Sequence, residues 1–413
     1  MEQQKYSGIE WVGMIPQRWK VAPIGAYFYE VLNKNYDGAV KNALKFTYGN
    51  IVEKNNFDAD SDEYVSSTIR KYTVVEPGTI MLNGLNLNFD FVTQRIGLVN
   101  TKGVITSSYV AFKSINEEYY NSKYANYLFK SYDFCKAFHN MGGGVRKILN
   151  FGELRKQYCV IPPINEQKAI VDFLDNKCSE IDSLAADIKK EISILEEYKK
   201  TVITEAVTKG ITHCVEMKNS PCSWIGAVPS HWVISKLKYK LRRNDVKNRG
   251  NCTVLSLYRE YGVIPKDSRD DNHNVTSEDT SKYKFVRVGD FVINKMKAWQ
   301  GSVAVSSYEG IVSPAYYVYN FTDNSYNKKY FHYLIRSCYK DEFRRLSGGI
   351  REGQWDLPST ALDNVTVLCP PIEEQNKIAE YLDKKTSVIE KTISEKQSQL
   401  EILAEYKKSI IYE

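Results

Sequence analysis

Cationic, amide and aromatic side chains crowd two stretches of this 413-residue chain, the equipment for gripping an anionic polymer. Between 236 and 249, Lys236, Lys238, Lys240, Arg242, Arg243, Lys247 and Arg249 stand against a single acid, Asp245. That density would neutralise phosphates; it equally suits a solvated strand edge. Between 294 and 301, Asn294, Lys295, Lys297, Trp299 and Gln300 combine donors for phosphates and base edges with an aromatic face. We read this stretch as a binding loop in preference to a structural hairpin. Two glycine-rich turns end in Arg146-Lys147 and in Arg351. Each sets a guanidinium beside permissive backbone that can approach a duplex closely, with a tight turn of incidental charge as the alternative.

Catalytic chemistry is harder to find. An adenine aminomethyltransferase needs an Asn/Asp-Pro-Pro-aromatic segment, whereas the two Pro-Pro pairs here read Ile161-Pro162-Pro163-Ile164 and Cys369-Pro370-Pro371-Ile372. No G-x-x-x-x-G-K-[ST] loop occurs, and no G-x-G-x-x-G follows a strand. The five histidines (139, 213, 231, 273, 332) are scattered, and no nucleophilic triad or carboxylate cluster emerges. The chain is expected to work without a cofactor or a metal.

Composition agrees with a DNA-facing globular protein without identifying one. Basic residues outnumber acidic ones by 56 to 50, giving +6, a bias that suggests an anionic partner. The apolar share of 43% and charged share of 26% are ordinary for folded chains, and the length suggests two to four domains. Eight cysteines never form C-x-x-C, so they read as reduced thiols in the cytoplasm. Nothing resembles a signal peptide or a membrane span.

These candidate groups sit inside a tandem duplication. Trp11, Gly13, Pro16 and Trp19 return in register as Trp224, Gly226, Pro229 and Trp232, a pattern better explained by packing than by base stacking. Pro162-Pro163-Ile164-Asn165-Glu166-Gln167 returns as Pro370-Pro371-Ile372-Glu373-Glu374-Gln375, and the echo runs on to Glu197-Tyr198-Lys199-Lys200 and Glu405-Tyr406-Lys407-Lys408. Between these anchors the likeness is patchier. The expected division is 1–161 and 211–369 as two similar α+β domains, with 162–210 and 370–413 as helical segments. Short strands are expected at 72–75, 79–82, 285–288 and 290–293, and helices near 120–138 and 328–345.

From 165 to 209 there is no Pro or Gly, and Gly210 follows, which punctuates a long helix. The expected seam runs through Ile181, Leu184, Ile188, Leu195 and Val202 in the first copy and Ile389, Ile393, Leu400, Leu403 and Ile410 in the second. About 40 helical residues span roughly 60 Å, whereas the roughly 13 residues from 211 to 223 reach about 45 Å at most. Parallel helices would strain that linker, so an antiparallel coiled coil with pseudo-two-fold symmetry is expected. The second copy ends at Glu413, which aligns with Glu205, so this sequence holds no counterpart of 206–210.

Taken together, the Trp-x-Gly-x-x-Pro-x-x-Trp motif, the Pro-Pro-Ile-x-Glu-Gln helix start, and Asp290 through Gly301 followed by Gly310-Ile311-Val312-Ser313-Pro314-Ala315-Tyr316 resemble the specificity subunit of type I restriction and modification enzymes over essentially the whole chain. The resemblance implies two target recognition domains, each reading one half of a bipartite asymmetric site in double-stranded DNA, spaced by the helices. It implies two modification subunits that methylate adenine, and restriction subunits that use ATP. The rival readings are a self-contained DNA methyltransferase or nuclease and a helical assembly scaffold that binds only protein.

Overall fold

The computed structural model describes residues 3–55, 58, 61, 63–89, 91–92, 94–143, 147–212, 214–222, 224–247, 250, 252–268, 279–349 and 355–413. The chain divides into two units, Met1–Ile188 with Gln397–Glu413, and Lys189–Lys396.

Each unit is built on the same strand plan. In the first, a four-stranded antiparallel sheet runs in the order Phe28–Glu30, Val110–Ser114, Ile80–Leu82, Ile96–Leu98. In the second the order is Leu241–Arg243, Tyr316–Phe321, Phe291–Asn294, Val303–Val305. The inner strands Ile80–Leu82 and Phe291–Asn294 are buried throughout, as expected for strands covered on both faces. One face meets the helix Ser122–Phe134 in the first unit and Lys328–Cys338 in the second. Phe28, Phe112, Tyr120 and Phe129 interlock edge to face in the first core, and Phe291, Phe321, Tyr326 and Phe331 do so in the second. The stretch read as one helix at 328–345 is two, Lys328–Cys338 and Lys340–Leu346, broken at the fully buried Tyr339.

Two long helices, Ile164–Lys209 and Ile372–Tyr412, complete the chain. The first buries Val171, Leu174, Cys178, Ile181, Ile188, Val202 and Ala206, an a/d heptad stripe. Leu184 departs from the expected seam: it is 49% exposed, because the inward positions after Ile181 are Ala185 and Ile188. Small or polar residues at Cys178, Ala185 and Lys199 fill the second seam position, so the apolar pattern alone pointed to the wrong neighbour. Ile389 is buried, and Ile393, Leu400, Leu403 and Ile410 are half-buried. Cross-helix ion pairs mark the pairing. Lys407 Nζ meets both Asp182 oxygens at 2.6 and 2.7 Å in the first unit. Lys199 pairs with Glu390, and Lys396 with Glu191, in the second. There, one helix ascends in number as the other descends, which is antiparallel packing.

Candidate nucleic-acid interface

The shared motifs prove to be clamps between each α+β head and its own long helix. Gln167, wholly buried, donates through Nε2 to the Tyr119 and Pro162 carbonyls at 3.0 and 2.9 Å and accepts from the Asn121 N–H at 2.9 Å. Gln375 repeats this with Ser325, Pro370 and Asn327 at 2.8, 2.8 and 2.9 Å. Asn121 and Asn327 in turn cap the helices that follow them. Trp19 Nε1 donates to Glu166 at 2.9 Å beside Arg18, whose guanidinium holds that carboxyl below its ordinary range. Trp232 Nε1 donates to Glu374 at 3.1 Å beside His231. These tryptophans are therefore packing groups.

What the clamps hold in place is a loop that follows the inner strand of each sheet. In the second unit the loop starts at Asn294, whose Oδ1 accepts from the Met296 N–H at 3.1 Å while its carbonyl accepts from Lys297 N at 3.0 Å. The turn Ala298–Gln300 buries Ala298 and ends at Gly301, where φ is +88° and a side chain would be strained. Trp299 donates to the Met296 carbonyl at 3.1 Å and lies edge-on to Trp355, ring centroids 5.5 Å apart. Lys295 is tied to Asp356 at 3.0 Å, and Gln300 accepts from Arg259. Lys297 is exposed.

Beside this loop opens a cleft of about 510 Å³ lined by Lys266, Tyr283, Asn294, Lys297, Trp299, Gln300 and Tyr316, among others. Of the residues singled out in the sequence, it collects Lys297, Trp299 and Gln300. Lys295 points instead into the ion pair that docks the neighbouring glycine-rich hairpin, closed by Gly348 and Asp356 backbone bonds of 3.1 and 2.9 Å. Cationic, amide and aromatic groups around one concave surface suit phosphate and base-edge contacts.

The first unit carries an equivalent edge with different side chains. The wholly buried Arg95 donates to the carbonyls of Asn83 and Leu85 at 3.0 and 2.8 Å, bracing the loop after its inner strand. Asp133 accepts from the Arg95 N–H at 2.7 Å, and burial pushes its carboxyl up. The glycine-rich turn packs here too: Leu87 N donates to the Lys147 carbonyl at 3.2 Å, and a Cβ on Gly84 would overlap the Leu149 carbonyl. Lys147 thus stands beside the loop, at φ +40°. Phe89 and Phe91 are 75% and 55% exposed on that loop, and Phe91 stacks on His139 at 4.7 Å. Sequence reasoning missed Arg95, Phe89 and Phe91, since no periodicity or charge cluster marks them.

The basic stretch divides. Arg243 lies over the Tyr317 ring at 4.7 Å and pairs with Asp245 at 3.0 Å, and Lys284 reaches the same carboxylate at 3.1 Å. Burial opposes ionisation of Asp245, yet the two cations hold its carboxyl below the usual range. Lys238 and Lys240 donate to Asn364 and Ser325 at 2.9 and 3.1 Å. Arg242 is exposed on the outer strand Leu241–Arg243, and Lys247 bridges through its backbone to Lys284. Arg146, Arg249 and Arg351 lie outside the described residues.

Among the described residues no group of three or more His, Cys, Asp or Glu side chains is placed to hold a metal, and no helix is long and apolar enough to cross a membrane. His332 is a core residue: its Nδ1 accepts from the Val305 N–H at 3.2 Å, and burial beside Arg336 pulls its pKa down to about 4.

Two helix-clamped α+β heads, each presenting a loop and a glycine-rich hairpin, define a tandem recognition module. Residues 26–193 and 240–401 match the model of the type I restriction modification DNA specificity domain, and the chain belongs to that family. It is a DNA-specificity subunit with two recognition domains, the non-catalytic part of such a system. It is 25% identical over 408 residues to the type I restriction enzyme MjaVIII specificity subunit of Methanocaldococcus jannaschii, covering 93% of this chain and 89% of that one. The EcoKI specificity subunit of Escherichia coli is 25% identical over 150 residues, 36% of this chain and 30% of that one. In fold, the chain matches one from a structural study of complex assembly and conformational transition of the type I R-M system, with TM-score 0.69 and 14% identity over 96% of this chain and 97% of that one. The HsdS subunit from Thermoanaerobacter tengcongensis gives TM-score 0.53 and 15% identity, with 96% of each chain covered.

Proposed function

We propose that each unit reads one half of a bipartite, asymmetric duplex DNA site through the loop and glycine-rich hairpin described above. The domains are taken as 1–161 and 211–369, and the spacers as 162–210 and 370–413. The observation that carries this reading is one scaffold repeated with two different surfaces. Strand order, glutamine clamp and tryptophan clamp recur, whereas the loops carry Phe89 and Phe91 in one unit and Lys297, Trp299 and Gln300 in the other. A conserved frame with divergent edges suits two unlike half-sites.

Within this reading Lys297, Trp299 and Gln300 contact DNA directly, with Lys147, Arg242 and Lys247 adding charge. Lys295 and Arg243 position their neighbours. The candidates Arg146, Arg249 and Arg351 keep the role their turns suggest. The paired helices set the number of base pairs between half-sites and dock two modification subunits, and restriction subunits join that complex. Eight free cysteines suit a reducing cytoplasm.

The test is to map methylated sites in cells that make the complex with Lys297→Ala and Trp299→Ala chains. One half of a split motif should degrade while the other is kept. Loss of both halves alike, or methylation by the purified chain alone, would reject the reading.

A further inference from the structure

The two units differ in one place where the duplication predicts sameness. In the second unit, the end of the first long helix drives into the head: Ala206 and Val207 are buried in its core, with Ile211 packed against them. Around them Trp232, Leu334 and Ile378 are wholly buried. The Tyr330 hydroxyl donates to the Val207 carbonyl at 3.0 Å. Gly210, at φ +79°, brings its backbone close to Trp232 and Glu374.

In the first unit, the equivalent walls enclose an open apolar groove of about 710 Å³. Trp19, Leu128 and Ile170, the counterparts of Trp232, Leu334 and Ile378, are only partly buried and line it. Phe173 is 56% exposed at the same surface. Tyr124, the counterpart of Tyr330, also lines the groove; its residue is only 4% exposed, yet its hydroxyl makes no hydrogen bond among the described residues. Ile410 and Ile411 form one wall where Val202 and Ile203 stand in the second unit.

We propose that this groove is a docking seat for an apolar helix end of the pattern Ala-Val-x-x-Gly-Ile, presented by a partner chain and seated as 206–211 are seated in the second unit. The chemistry of the occupant follows from the filled copy. A small residue and a branched one enter beside Trp19 and Ile170, the carbonyl of the branched residue accepts from Tyr124, and a glycine in left-handed conformation lets the segment turn away over Trp19. The inference is independent of DNA reading.

The experiment adds a synthetic peptide with the sequence of residues 200–212 to the full chain and follows binding by calorimetry. One-to-one binding is expected. Phe173→Asp, at an exposed position, should abolish it without lowering Tm, and Tyr124→Phe should weaken it about fivefold by removing one hydrogen bond. A second measurement appends Ala-Val-Thr-Lys-Gly-Ile after Glu413. The natural order should raise Tm by at least about 3 °C, and a Ser/Asn-substituted extension should not. Either gain, if sensitive to Phe173→Asp, supports the seat. Failure of both, binding indifferent to Phe173→Asp, or a dimer of this chain that fills the groove and excludes the peptide overturns it.

Discussion

Replacing Gln375 with Leu keeps most of the side-chain volume and removes one carboxamide. Three backbone groups then lose their partner: the Asn327 N–H and the carbonyls of Ser325 and Pro370. The carboxamide is wholly buried, so water does not reach it from the outside. A buried polar group left unmade costs about 1–3 kcal/mol. With partial rescue at the part-buried Ser325 carbonyl, the total is about 3–5 kcal/mol. For a unit of about 200 residues, each kcal/mol lowers Tm by roughly 2–4 °C, so the second unit's transition should fall by about 10 °C. Scanning calorimetry of the full chain measures it. Gln167→Leu should lower the first unit's transition by a similar amount, and the double variant should combine the two nearly additively. A loss under about 1 kcal/mol for Gln375→Leu, or equal shifts of both units from either single change, would refute the clamp.

Lys297→Ala should weaken DNA binding of the assembled complex uniformly across sequences and reduce the slope of log K against log salt by about one; an unchanged slope removes Lys297 from the phosphates. Gly84→Ala forces a Cβ against the Leu149 carbonyl, so selectivity should fall at the half-site read by the first unit while the other half persists in methylation maps. His332 carries a folded pKa of about 4 against an ordinary 6.5. Its neutral form is favoured in the fold, so stability is full above pH 6.5 and falls by roughly 3 kcal/mol as pH drops through that window. Urea titrations at stepped pH should lose that portion of the dependence in His332→Gln. Removing one heptad from both long helices should change the spacer length in the methylated motif and leave the half-site sequences alone.

The duplication, the long helices and their clamps were legible because they are local and periodic. A Pro-Pro start, a glycine stop and a heptad stripe need only the chain's own neighbours to be read. The loop at 294–301 was legible by composition, since Lys297, Trp299 and Gln300 stand close together in sequence. Leu184 shows the limit of this reading. Its apolar character put it on the seam, yet the supercoil phase gives that place to Ala185, and a small residue leaves no hydrophobic signal. Lys295 and Arg243 show another: as cations they counted as DNA contacts, but Asp356 and Asp245, brought near by folding, hold them.

By itself the amino-acid sequence determined that this protein is one plan written twice around two helices, because patterns of proline, glycine and apolar spacing act over a few residues. Only tertiary structure decided which charges stay available, which loop Arg95 braces from within, and that one head is sealed by 206–211 while its twin stands open. Those outcomes depend on groups distant in the chain meeting at contact distance, and burial, not residue type, sets whether a side chain becomes scaffold or surface.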